Sequence, residues 1–536
     1  MTAAPTAQRT ARRVVVYGLL FALLIVAAIG LAGLLSRLLD RGDLLVSSDV
    51  AGLARSLAFA LIAGPLAAVL WWIQWRRLGD TERASVAWGL YVAVMSTVSL
   101  AVFTSALLVT AAALVRSDWQ PTACATGVVW AGIWVAHRRM ARHPGKGPTR
   151  LRSVAPVLAA VFGLIIFAGG AIAALGSLID AAVASLVATA TIGDPWWQTT
   201  LQGLIWSLGG AAVWWVHWLR DDARGIRGGL ADVALVIVGI VLPTAFALGG
   251  TGTALFRLLR LAFDRTEPVP QLLDTLGFAV AAGAIGALVL TYYRRHAALY
   301  SATTRLSIRI VTSAVGLIGA ASGIGVIVTA LLAALAPSVV GADARTLLLG
   351  GVSAIVVSAP VWWLAWKPSA PVDPAEAGST PRRLYLVLVF GVSALVAIIT
   401  LLVIGYRLFE AVLGDPSGTD LLTRVRGPLG LLVATGLVAA YHFAIWRRDR
   451  LLAPPRPEQR IHRILLVAGT PSHLLEEALT DATGAKLTVW RRADAAPTDT
   501  PTTPDQLARA LDGVTAGRVL IVAAANGGLE VIPLED

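Results

Sequence analysis

The chain has 536 residues, 57% of them hydrophobic and only 14% charged, with a formal net charge of +12. A soluble globular chain carries about 25% charged residues, so most of this one cannot be a string of soluble domains. Its arginines gather in short clusters between apolar runs rather than along one face, which excludes a nucleic-acid surface. A single cysteine, Cys124, excludes an internal disulfide and supplies no metal cluster.

About 20 apolar residues of helix, at 1.5 Å rise, cross a hydrocarbon core of about 30 Å. The first run, Val14–Leu35, follows Arg9, Arg12 and Arg13. It is too long for the core of a signal peptide and no small-residue cleavage pattern closes it, so it reads as a retained membrane helix. In chain order the next predicted spans are Ser56–Trp75, Val86–Leu114, Thr122–Ala136, Val154–Ile179 and Thr199–Trp218. They continue with Leu230–Leu255, Leu272–Tyr293, Leu306–Leu335, Leu347–Trp366, Leu384–Leu413 and Pro428–Trp446. Thr122–Ala136 is the weakest, being short and containing two threonines. Several odd-numbered spans run near 30 residues, or about 45 Å. They are expected to tilt, or to project at the outer end where Arg257 and Arg260, or Arg407 and Glu410, enter the pattern.

Beyond Trp446 the composition changes. Residues 451–460 form a basic, proline-stiffened linker, and 461–536 read as a small cytoplasmic α/β domain. Its predicted strands are Ile461–Ala468, Lys486–Trp490, Arg518–Ala524 and Leu529–Pro533, the last two a hairpin across Asn526-Gly527-Gly528. The predicted helices are Ser472–Ala482 and Pro504–Leu511. Gly469-Thr470-Pro471-Ser472 lacks the glycines and lysine of a phosphate loop, and Ser472 reads as a helix cap.

The loops expected on one side, up to Arg463, hold about 28 basic and 8 acidic residues, and those on the other about 11 and 13. Such asymmetry places both termini in the cytoplasm, in agreement with an even number of spans.

The chain also repeats itself. Trp71-Trp72-x-x-Trp75, Trp214-Trp215-x-x-Trp218 and Trp362-Trp363-x-x-Trp366 each close an even-numbered span, 143 and then 148 residues apart. Two spans further on come Trp134 to His137-Arg138-Arg139, Tyr292-Tyr293-Arg294-Arg295-His296, and Tyr441-His442 to Arg447-Arg448. Recurrence at one period marks a repeated structural unit. The expected fold is therefore an all-α polytopic membrane protein of about twelve helices in three tandem four-helix modules, residues 10–145, 150–300 and 305–450, plus the α/β tail. The tryptophans read as anchors at the headgroup level, with adjacent arginines among phosphates, and alternatively as the lining of a headgroup pocket.

No catalytic, cofactor-binding or metal-ligating set stands out. His137, His217, His296 and His442 sit beside Arg or Trp at helix ends and read as interfacial rather than as ligands. Asp232 lies nearest to a membrane carboxylate, but at a helix start whose amides favour negative charge. Pro65, Pro156, Pro243, Pro360 and Pro428 read as kinks, and spacings such as Gly316 to Ala320 or Gly319 to Gly323 as tight helix contacts. Asp232, His217 and His442 are kept as candidate site residues.

The hairpins ending in W-W-x-x-W, and in Tyr-His clusters followed by Arg, resemble a bacterial family of multi-pass membrane proteins classed only as a domain of unknown function. The resemblance covers roughly residues 10–450. It implies a membrane location and a tandem four-helix module, and no activity. Gln74 stands where the second copy has His217, so that histidine is not required by the module. The expectation is a non-enzymatic scaffold or sensor of the bacterial inner membrane, partnered by the bilayer and, through residues 461–536, by a cytoplasmic protein. The alternative is a transporter or lipid-handling protein using clefts between the modules.

Overall fold

The computed structural model describes residues 4–40, 49–187, 195–298, 302–335, 343–367, 374–413, 421–452, 461–468, 476, 479–480, 483–491, 510–511, 514, 516–523 and 529–534. The chain divides into two compact units, Met1–Arg450 and Leu451–Asp536.

In the first unit the apolar runs form α1 (Ala4–Leu39), α2 (Val50–Arg77), α3 (Val86–Leu114), α4 (Pro121–Arg142), α5 (Val154–Leu186) and α6 (Trp196–Trp215, extended by a wider turn Val216–Arg220). They continue as α7 (Leu230–Phe263), α8 (Leu276–Ala297), α9 (Ala302–Leu335), α10 (Ala344–Trp366), α11 (Thr380–Leu413) and α12 (Leu421–Leu452). Among the described residues, ten of these are long and apolar enough to cross a membrane; α4 and α6 fall short. Their composition is the reason. Trp130, Trp134, His137, Arg138 and Arg139 dilute α4, and Trp196, Trp197, Gln198 and Gln202 dilute α6. The chain is a multi-pass membrane protein with an internal repeat.

Starts and kinks follow local chemistry. Asp49 caps α2 by accepting from Gly52 N (2.8 Å), and Ser85 caps α3 by accepting from Trp88 N (3.2 Å). Proline lacks an N–H and its ring crowds the carbonyl one turn back. Ahead of Pro65 and Pro243 the helix widens into π-type turns, Phe59–Ala63 and Leu235–Val241, which absorb the mismatch without breaking α2 or α7. Pro360 and Pro428 lie inside α10 and α12.

Neighbouring helices interlock through small residues. A Cβ on Gly210 of α6 would collide with the backbone of Phe167 on α5, and one on Gly170 with Ser207. Gly316 faces the backbone of Trp362, and Gly323 that of Gly351, between α9 and α10; Gly250 faces Gly283 between α7 and α8. Without water to expel, membrane helices associate by such close approach.

The ends of the bundle differ in chemistry. At the basic end, Arg13 of α1 pairs with Glu82 (3.0 Å), Arg83 donates to Gly147 O (3.1 Å), and Trp88 Nε1 donates to Lys146 O (3.1 Å). At the opposite end Arg260 at the close of α7 is buried with Asp264 (3.2 Å), which also accepts from Thr346 of α10 (2.6 Å). The Thr346 hydroxyl, with the Thr266 hydroxyl and the Arg260 guanidinium, holds the Asp264 carboxyl below its ordinary range. Arg407 and Glu410 pair within the last turns of α11 (2.9 Å).

The second unit is a sheet of order β2-β1-β3-β4, with β1 Arg463–Ala468, β2 Lys486–Arg491, β3 Arg518–Ala523 and β4 Leu529–Leu534. β1 runs parallel to β2 and β3, and β4 pairs antiparallel to β3 with Val519 opposite Pro533. Ile464, Leu466, Val519 and Ile521 are fully buried and form its core with Leu479. Most of the linker 451–460, all of residues 469–475, most of the predicted helix 504–511 and the turn 526–528 lie outside the described residues.

Candidate functional site

The three tryptophan sequences divide their labour in the same way. The middle residue of each, Trp72, Trp215 and Trp363, turns outward with 50, 43 and 52% of its surface exposed. Arg76 stacks over Trp72 (4.0 Å) and Arg220 over Trp215 (4.4 Å). The outer two face inward. Trp214 and Trp218 donate to the hydroxyls of Tyr293 (2.9 Å) and Tyr292 (2.8 Å), and Trp366 donates to Tyr441 (2.8 Å). In the first copy, where no tyrosine is available, Trp71 meets Met140 Sδ (3.4 Å), and Trp75 receives Lys146 against its ring (4.5 Å).

The histidines behind these tyrosines also repeat. His137 Nδ1 donates to Ile133 O (2.8 Å) and His442 Nδ1 to Val438 O (2.8 Å), each one turn back on its own helix. A carbonyl can only accept, which fixes the proton on Nδ1 and leaves Nε2 to accept from Tyr91 (3.2 Å) and Tyr385 (3.3 Å). In the middle copy Tyr293 follows Tyr292 as His442 follows Tyr441. Its ring lies against Gly239 of α7, where a Cβ would come within 2.8 Å. The Tyr–His pair is thus exchanged as a whole for a tyrosine packed on a glycine.

His217 is differently placed. Its Nδ1 donates to Val213 O (2.9 Å), and its Nε2 accepts from Arg138 Nη1 of α4 (3.1 Å). Arg138 Nη2 and Arg142 Nη2 both donate to Asp221 Oδ1, at 3.0 and 2.6 Å. This network ties α4 to the end of α6. It forms the mouth of a cleft of about 570 Å³ lined by α3, α4, α5 and α6 together with residues 143–152. Arg152, whose Nε donates to Pro148 O, and Arg220 also line the cleft, so four arginines share its wall with one carboxylate that two of them hold.

Deeper in, the wall is apolar: Val92, Ala93 and Leu100 of α3, and Ala155, Pro156 and Ala159 of α5. From Gly89 at the mouth to Leu100 is about 16 Å of helix. Between them Ser96 Oγ is buried and has no hydrogen-bond partner among the described residues. The site is therefore basic at its mouth and apolar in its depth, with one unsatisfied hydroxyl between.

Asp232 is not part of it; its carboxylate accepts from Gly228 N (3.1 Å) at the start of α7. Nor is His442, which belongs to the last four helices. Of the sequence candidates only His217 borders the cleft. Sequence reasoning passed over Arg138, Asp221 and Ser96, which come from three helices, Arg138 lying 79 residues from His217 and 83 from Asp221. It also passed over Asp180, which lies inside α5 because that helix runs beyond the predicted end at Ile179 and accepts from Gly277 N (2.7 Å) at the start of α8.

A family model described as a domain of unknown function (DUF5671) matches the chain twice, over residues 13–123 and 307–437. The starts of the two matches lie 294 residues apart, as do Tyr91 and Tyr385, the hydroxyl donors of the two Tyr–His pairs. The first and third tryptophan sequences lie 291 residues apart and His137 and His442 305, so the two copies correspond helix by helix with short insertions between them. No curated protein and no solved structure matches the chain.

Proposed function

We propose that this is a non-enzymatic, lipid-binding scaffold or sensor of the bacterial inner membrane. In this reading it is built from three four-helix modules, α1–α4, α5–α8 and α9–α12, with twelve spans and both termini cytoplasmic. The basic end, carrying Arg13, Arg138, Arg142 and Arg220, is the cytoplasmic face. α4 and α6 cross despite their tryptophans because each packs along a long apolar helix of its own module, α3 and α5. The tail sheet then serves as a docking or regulatory module in the cytoplasm.

The observation that carries the reading is the cleft between the first two modules. A cationic mouth, an apolar interior and a lone hydroxyl at intermediate depth match the headgroup, acyl chains and glycerol esters of an anionic phospholipid. Its ionisable groups serve each other: Asp221 is held by two arginines and both nitrogens of His217 are engaged, which suits binding rather than proton transfer. The outward tryptophans fix the depth of the basic end against the headgroups.

The test is lipid retention by the protein in nanodiscs of zwitterionic phosphatidylcholine doped with anionic phosphatidylglycerol, read by native mass spectrometry. Wild type retains the anionic lipid selectively. Arg152→Glu with Arg220→Glu lowers that retention about thirtyfold or more, at about 1 kcal/mol per basic residue near a charged surface. Equal retention of both lipids by wild type would refute the proposal.

The lipid-handling reading draws support from a second, nearly wholly apolar groove of about 590 Å³ among α9, α11 and α12, lined by Leu317, Val392, Leu431 and their neighbours. It predicts lipid exchange between vesicle leaflets by the reconstituted protein, which a scaffold does not catalyse.

A further inference from the structure

The network at the mouth of the cleft is built around one buried imidazole. His217 has 4% of its surface exposed, and its Nδ1 proton is committed to Val213 O one turn back on α6. Its Nε2, Arg138 Nη1 and Asp221 Oδ2 form a triangle. The sides are 3.1 Å from Nε2 to Nη1, 2.9 Å from Nη1 to Oδ2 and 3.8 Å from Oδ2 back to Nε2. One guanidinium nitrogen is thus shared between a neutral acceptor and a carboxylate.

A proton added to Nε2 changes this arrangement. An imidazolium has no lone pair to offer Arg138, so two N–H donors would face each other across 3.1 Å. Asp221 Oδ2 is the acceptor at hand, and a small rotation of either side chain brings it into hydrogen-bond range. Asp221 then exchanges Arg138 Nη1 for His217, and Arg138 is released toward the cleft that it lines. The mouth also gains one positive charge. The other charged or titratable groups lining it are Arg142 of α4, Arg220 at the end of α6, and His143 and Arg152 of residues 143–152. α3 and α5 present only uncharged residues to the cleft.

Of the three tryptophan sequences only one carries this imidazole. They read Trp71-Trp72-Ile73-Gln74-Trp75, Trp214-Trp215-Val216-His217-Trp218 and Trp362-Trp363-Leu364-Ala365-Trp366. The same place is filled by Gln, His and Ala in turn, so the module folds without histidine. The copy that borders the basic cleft has it.

We infer, on the lipid-binding reading of the cleft, that His217 couples binding to pH: the mouth holds an anionic headgroup more tightly when Nε2 is protonated. A bound anion favours that proton by the same factor, as linkage requires. The proton is an effector, taken from water on binding and returned to water on release.

The experiment is retention of phosphatidylglycerol over phosphatidylcholine, read by native mass spectrometry, in nanodiscs equilibrated between about pH 8 and about pH 5. That range brackets an ordinary imidazole. The phosphodiester of phosphatidylglycerol keeps its single charge throughout, so pH acts on the protein. Wild type is expected to gain about fivefold in selectivity as pH falls, the effect of about one more basic charge beside the headgroup. His217→Gln, which installs the residue of the first copy, and His217→Asn are each expected to hold one selectivity across the range. His143→Gln, at the other histidine of the mouth, keeps the wild-type slope. A wild type that prefers the anionic lipid equally at every pH overturns the coupling and leaves the reading of the cleft intact. A slope that survives in both His217 variants, or is lost only in His143→Gln, overturns the coupling as well. No anionic preference at any pH overturns the reading of the cleft and the coupling with it.

Discussion

Ser96 separates binding from folding. An unsatisfied buried hydroxyl costs about 1–3 kcal/mol, so Ser96→Ala leaves the protein as stable as wild type or more so, while anionic-lipid retention falls. Thermal unfolding in detergent alongside native mass spectrometry checks both halves. The Tyr–His pairs give the opposite result. Tyr385→Phe strands His442 Nε2 and lowers stability by about 1–2 kcal/mol. Tyr385→Phe with His442→Phe, which removes both partners, recovers part of that loss in the same melting assay. Asp264 links stability to pH. Its carboxyl is held below the ordinary carboxylate range, so it contributes stability above the unfolded-state value, lost as pH falls through the lowered folded value. Wild type therefore loses more stability than Asp264→Asn on acidification, as melting curves across acid pH will register. Of these residues the sequence made only the histidines visible, and only as interfacial groups. Their partners sit on other helices 46 and 57 residues away, a separation at which no local pattern operates.

At the scale of elements, the helices follow from hydropathy because the bilayer leaves no other way to satisfy a spanning backbone. Val86–Leu114 forms with the predicted bounds, and Val154–Leu186 and Leu421–Leu452 extend the predicted spans by one or more turns. The extensions arise at helix ends, where the residues leave the hydrocarbon and apolarity ceases to report helicity. Of the prolines read as kinks, Pro360 and Pro428 lie inside helices, Pro156 falls in the first turn of α5, and the π-type turns ahead of Pro65 and Pro243 were not legible. Contact through glycine is the property on which these helices depend most. Gly210→Ala drives a methyl into the backbone of Phe167 and costs about 1–3 kcal/mol. Gly132→Ala has nothing within 4 Å and gains up to about 1 kcal/mol in helix propensity. Melting temperatures of the two variants should move in opposite directions.

At the scale of the molecule, the repeat was legible because the tryptophan sequences recur, and the structure adds why they recur. The middle residue of each turns to the surroundings, while Trp214, Trp218 and Trp366 hold the tyrosines of a neighbouring helix and Trp71 meets Met140 in their place. The cleft was not legible, since it lies between four helices of two modules and each contributes a few residues of an otherwise apolar or basic run. The account as a whole stands on that cleft. A density map of the protein in a nanodisc containing phosphatidylglycerol tests it most directly. The predicted result is an elongated lipid density with its phosphate against Arg138, Arg142, Arg152 and Arg220, and its chains descending past Ser96 to Leu100 and Ala159. A cleft closed by its own side chains, or holding only water while lipid packs indifferently around the bundle, would contradict it.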